Sequence, residues 1–130
     1  MSNATVASSL NLDLKKIEHF SGGKFQAGSG KETFESINPA TGKAHATVAL
    51  GTADDIDAAV KAARNAFEKG PWPRMSVRER CNILRKIADL ILARREEFAI
   101  AESTDTGKPI SESFDGDIPR SAFNFQFFAD

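Results

Sequence analysis

The chain has 130 residues, with 17 Lys and Arg against 18 Asp and Glu for a net charge of −1, and is 41% apolar and 27% charged. That balance belongs to a folded segment and excludes a disordered charged tail. It lacks the basic surplus of a nucleic-acid module, and one Cys with two His is too few for a structural zinc centre. No apolar run reaches the roughly 20 residues of a membrane helix. A single Cys cannot form an internal disulfide, which fits a reducing compartment, and the cytoplasm is the expected location.

Residues 1–15 are polar and Ser/Asn-rich, with no apolar core of a secretory signal, and read as a flexible arm. Residues 17–26 read as a hairpin turning at Ser21-Gly22-Gly23, and 27–31 as a second loop. Residues 33–37 read as a half-buried strand, Asn38-Pro39-Ala40-Thr41-Gly42 as a turn and 44–50 as a partner strand. The period then changes. Ile56, Ala59, Val60, Ala63 and Phe67 recur at helical spacing, Thr52 is the predicted N-cap, and Asp54, Asp55 and Asp57 sit where the helix dipole favours anions. Gly70-Pro71 ends that helix.

Ser76-Val77-Arg78-Glu79 is an S-x-x-E capping box opening a second helix. Cys81, Leu84, Ala88 and Ile91 form its predicted buried stripe, with a bend near Arg94. Gly107, followed two residues later by Pro109, is a C-terminal stop. A last helical segment follows, with Pro119 in its first turn. The order is strands, then helices.

Ten of the eleven aromatics are Phe, and four of them, Phe123, Phe125, Phe127 and Phe128, fall in the last eight residues. At about 100° per residue they spread around a helix, so several of its sides call for cover. The expectation is that the segment is the front portion of a larger protein or pairs through this end.

Few residues offer chemistry of their own. GSGKET at 28–33 lacks the first Gly and the hydroxyl of a Walker loop, and no G-x-G-x-x-G opens a helix. Cys81 reads as a small buried hydrophobe, His19 and His45 as isolated strand residues, and the basic residues between 74 and 95 as a solvated face. Arg120 stands out in DIPRSAFNFQFFAD. It shares a helical face with Asn124 and Phe128, and a guanidinium in so apolar a helix needs a partner. Two readings stand side by side: an ion pair with Asp115, Asp117 or another acid, and a fork that grips a ligand carboxylate.

INPATGK at 37–43, DIDAAVKAARNAFEKGPWPRMSVRERCNILRKIADLI at 55–91 and ESTDTGKPISES at 102–113 resemble the beginning of the aldehyde dehydrogenase superfamily. The resemblance covers about residues 17–130, roughly the first quarter of a family member. It implies an α/β fold in which residues 16–130 are the N-terminal strands and helices flanking a Rossmann-like coenzyme domain. The catalytic and oligomerisation domains would lie outside the segment. It also implies NAD(P)-dependent oxidation of an aldehyde to the acid through a cysteine thiohemiacetal, in a homodimer or homotetramer. No residue here matches the family's nucleophile, its glutamate or its main cofactor loops, so the segment alone is expected to be inactive.

Two finer carry-overs come with the resemblance. Asp105, with the backbone carbonyls of Ser36 and Ile37, matches positions that hold a structural monovalent cation. The alternative is that Asp105 simply serves its helix end. The segment with DIPR and NFQFFA is most similar to hydroxymuconic- and aminomuconic-type semialdehyde dehydrogenases. On that match Arg120 faces the substrate channel, Gly116 lies one turn earlier on the same wall, and the substrate is a carboxylate-bearing semialdehyde. The competing expectations are a betaine-aldehyde-type enzyme, which would want a cage for a cation rather than an Arg, and a truncated, non-catalytic interaction module.

Overall fold

The computed structural model describes residues 16–130. The expected arm over residues 1–15 lies outside the described residues. Among them the chain divides into two compact units, one of residues 16–37 and Lys43–Met75, the other of Asn38–Gly42 and Ser76–Asp130.

The first unit holds five short strands, β1 (Lys16–Ile17), β2 (His19–Ser21), β3 (Lys24–Gln26), β4 (Thr33–Asn38) and β5 (Lys43–Ala49), then helix α1 (Ala53–Lys69) and a 3-10 turn at Trp72–Arg74. β2 and β3 form the predicted antiparallel hairpin, with Phe20 opposite Phe25. Its turn falls on Gly22 and Gly23, at φ 60° and 79°. Two successive positive φ values suit a two-residue hairpin turn, and glycine takes them without strain. The other sheet has the order β1-β5-β4. Its β1–β5 pairing is parallel, Lys16 with Thr47 and Ile17 with Val48, a non-local contact that alternation in the sequence does not announce.

Burial in this unit is thin. Ala46 and Ala49 are its buried apolar residues among those described. The strand expected at 33–37 forms as β4, but Phe34 and Ile37 on it are about half exposed, at 50% and 48%, so its expected buried face is open. The stripe on α1 is open as well, with Ile56, Val60 and Phe67 at 63%, 60% and 70%. Helical spacing therefore gave α1 correctly, but no described residue covers the stripe.

The second unit is helical, with α2 (Val77–Ala93), α3 (Arg95–Thr106), a single short turn α4 (Ile110–Glu112), a π-turn over Ser113–Asp117 and α5 (Ile118–Ala129). Ser76 and Glu79 form the predicted reciprocal cap, with Ser76 N donating to Glu79 Oε2 at 2.7 Å. The bend sits at Arg94, whose φ and ψ of −112° and 24° break the helix. Gly107 ends α3 at φ 78°, and a Cβ there would lie 2.6 Å from Pro39 Cγ, so the position excludes a side chain on two counts.

The core of this unit is made of small residues: Ala88, Ala99, Ala122, Ala129 and Ser113, with Ile118. Alanines at a helix crossing leave no long side chains to hold the backbones apart, and α2 and α5 make the most extensive helix contact. The predicted stripe on α2 is present, with Ala88 fully buried and Cys81, Leu84 and Ile91 half-buried.

Candidate substrate-facing site

The site grows from the junction between the π-turn and α5. In the π-turn the N–H of Ile118 reaches back five residues to the carbonyl of Ser113. Buried positions accordingly run Ser113, Ile118, Ala122, with a step of five and then of four. One extra residue is accommodated, and the solvent side of the turn carries Asp115 and Gly116. Pro119 stands in the first turn of α5, and the carbonyl of Phe114, five residues back, accepts from Arg95 Nε instead.

Both aspartates here are already engaged. Arg95 Nη2 donates to Asp115 Oδ1 at 2.8 Å, its Nε donates to the carbonyl of Phe114 at 2.6 Å, and its guanidinium lies 4.0 Å from the centre of the Phe114 ring. Lys108 Nζ donates to Asp117 Oδ2 at 2.7 Å and stands 3.9 Å from Glu102. The hydrogen bond to Asp117 is the main reason the Lys108 ammonium is held above its ordinary pKa.

Arg120 follows on the exposed side of α5. The sequence placed it as a buried charge in need of a partner, and its exposure removes that need. Asp115 and Asp117 pair elsewhere, and Arg120 has no ion-pair partner among the described residues. Gly116, four residues earlier, is open: nothing lies within 4 Å of where its Cβ would be. One turn beyond Arg120, Asn124 and Phe128 join Ser121, Phe125 and Leu84 around a cleft of about 420 Å³. The shared face of Asn124 and Phe128 is thus observed, while Arg120, next in sequence to Ser121, is not among the residues lining the cleft. Phe123, Phe127 and Phe128 stay exposed at 60%, 63% and 76%.

Other expected residues lie on other elements. Ser36 and Ile37 are neighbours on β4, in the first unit, with Ser36 Oγ 3.1 Å from His45 Nε2. Asp105 is an exposed residue in the last turn of α3, in the second unit. No group of three or more His, Cys, Asp or Glu that could hold a metal occurs among the described residues. Cys81 is a free, half-buried thiol on α2. His19 lies on β2 with its Nε2 buried and unpartnered.

The acidic start of α1 does more than complement a dipole. Asp55 Oδ2 accepts from Thr52 N at 2.9 Å and Thr52 Oγ1 at 3.0 Å, and Asp55 N donates back to Thr52 Oγ1 at 3.3 Å. The same carboxylate accepts from Ser29 N at 3.0 Å, tying the 27–31 loop to the helix start. The backbone N–H of Thr52 and then that of Ser29 lower the Asp55 pKa to about 2. A helix N-terminus so filled leaves no room for a pyrophosphate, and neither α1 nor the Glu79-capped α2 fits a dinucleotide cradle.

No helix among the described residues is long and apolar enough to cross a membrane. The model of the aldehyde dehydrogenase family matches residues 25–130. A 2-hydroxymuconic semialdehyde dehydrogenase of Pseudomonas sp. (strain CF600) is 50% identical over 117 residues, 90% of this chain and 24% of that protein. A 2-aminomuconic semialdehyde dehydrogenase of Danio rerio is 45% identical over 122 residues, 92% of this chain and 24% of that one. An NAD+ complex of the aldehyde dehydrogenase from Bacillus cereus is 42% identical with a TM-score of 0.87, covering 99% of this chain and 26% of its own. The chain therefore spans about a quarter of the length of the relatives it matches.

Proposed function

This chain belongs to the aldehyde dehydrogenase family, and from that premise we propose that its full-length protein oxidises a carboxylate-bearing semialdehyde to the acid with NAD(P)+. Residues 16–130 supply no catalytic group and no cofactor cradle in this reading. Their contribution is one wall of the substrate channel, with Arg120 as the carboxylate fork and Gly116 as the bare position beneath it. The full-length protein is a cytoplasmic homodimer or homotetramer.

The observation that carries the reading is the state of Arg120. It is exposed and unpaired among the described residues, while both neighbouring aspartates are bound to other cations. A guanidinium kept free in this way offers paired donors to a planar anion. It would repel a quaternary ammonium, which disfavours a betaine-type aldehyde. The likeness to two semialdehyde dehydrogenases of muconic type supports the same direction.

The test is the full-length protein assayed with NAD(P)+ against a muconic-type semialdehyde and a neutral aldehyde of similar length. Arg120→Met should lower kcat/KM for the acidic aldehyde by about 10- to 100-fold, the range of a hydrogen bond to a charged group. The neutral aldehyde should change by only a small factor. Equal losses for both would remove carboxylate recognition from the reading.

A further inference from the structure

Asp117 stands three residues before Arg120, the spacing at which an acid and a base on one helix meet. Left to itself, that carboxylate would compete for the guanidinium. Instead Asp117 Oδ2 accepts from Lys108 Nζ at 2.7 Å, nine residues back along the chain. Lys108 reaches this place because α3 ends at Gly107 in the left-handed region and the chain turns back at once toward the π-turn. Lys108 is itself steadied by Ser103 Oγ, which donates to its carbonyl at 2.7 Å. The other local carboxylate, Asp115, is taken up by Arg95 in the same manner.

We infer that Lys108 is a positioning residue for substrate selection: by holding Asp117 it keeps that carboxylate off Arg120, so that Arg120 stays free for an external carboxylate. Lys108 touches neither substrate nor cofactor in this account; it acts only through Asp117. The inference rests on the reading of Arg120 as the carboxylate fork.

The test is steady-state kinetics of the full-length protein with the acidic and the neutral aldehyde. Lys108→Met releases Asp117 and should raise KM for the acidic aldehyde about two- to fivefold, the factor an exposed ion pair is worth, with little change in kcat. Lys108→Arg should keep the wild-type KM, because it can still bind Asp117. The combined Lys108→Met/Asp117→Asn protein should return KM toward wild type, since the released competitor is gone. Lys108→Met/Glu102→Gln carries the same net charge but leaves Asp117 in place, and should keep the raised KM.

Rescue by the Glu102 change as complete as rescue by the Asp117 change would reduce the effect to the local field and overturn the inference. So would an unchanged KM in Lys108→Met, or a raised KM that Asp117→Asn does not repair. Arg120→Met, run alongside, separates the two levels. If it penalises both aldehydes equally, the carboxylate reading fails and this inference with it. If it penalises only the acidic one and the Lys108 series is flat, only the inference fails.

Discussion

The two units of the chain hold together by different means. The helical unit packs alanines, Ala88, Ala99, Ala122 and Ala129, into a small core and arranges its charges in defined pairs at the surface. The strand unit buries little beyond Ala46 and Ala49 and leans on hydrogen bonds, above all the knot of Ser29, Thr52 and Asp55. Close-packed small residues are sensitive to backbone shifts, whereas a hydrogen-bonded knot is sensitive to loss of a single polar atom. Loss of a single polar side chain should therefore matter most in the strand unit, and backbone changes most in the helical one.

The largest stability effect should come from Gly107→Ala. It places a Cβ in the left-handed region and 2.6 Å from Pro39 Cγ, and a destabilisation of about 1–3 kcal/mol is expected in urea unfolding followed by circular dichroism. An unchanged midpoint would mean that the helical unit tolerates backbone shifts and would break the contrast. Thr52→Ala strikes the other unit and should lose about 1 kcal/mol, as N-cap deletions do. Faster amide exchange in the first turn of α1 should accompany it.

The smallest effect is a pH dependence. The folded-state pKa of Asp55 lies near 2, below its ordinary value of 3.8, so its contribution is complete above about pH 4 and is lost as pH falls toward 2. Asp55→Asn should flatten that part of the Tm-against-pH curve. A wild-type curve that the substitution leaves unaltered would mean the knot does not carry the strand unit.

How far each unit could be read in advance follows the same divide. Capping and turn chemistry is local, so Ser76 with Glu79, Gly107, Pro119 and the Gly22-Gly23 turn were legible residue by residue. The α2 stripe was legible for the same reason, because its period is local. The parallel pairing of β1 with β5 was not, since a two-residue strand carries no period and its partner is 31 residues away. Asp55 was read as a dipole charge because the T-x-x-D cap and the contact with Ser29 need the loop to fold back first. At the candidate site, Arg120 stood out by type and spacing, whereas Gly116 came only with the family resemblance. Lys108 did not, because its bond to Asp117 depends on the left-handed Gly107 just before it and on the π-turn that ends at Asp117.

The five-residue step from Ser113 to Ile118 has one more consequence. Excise Gly116, and the two buried residues become four apart, the ordinary helical repeat, with both flanks in their former phase. A one-residue gap in homologous chains at this point would thus be a change of local winding alone. Such an indel would alter the backbone just before Arg120 while the alanine seam between α2 and α5 kept its register.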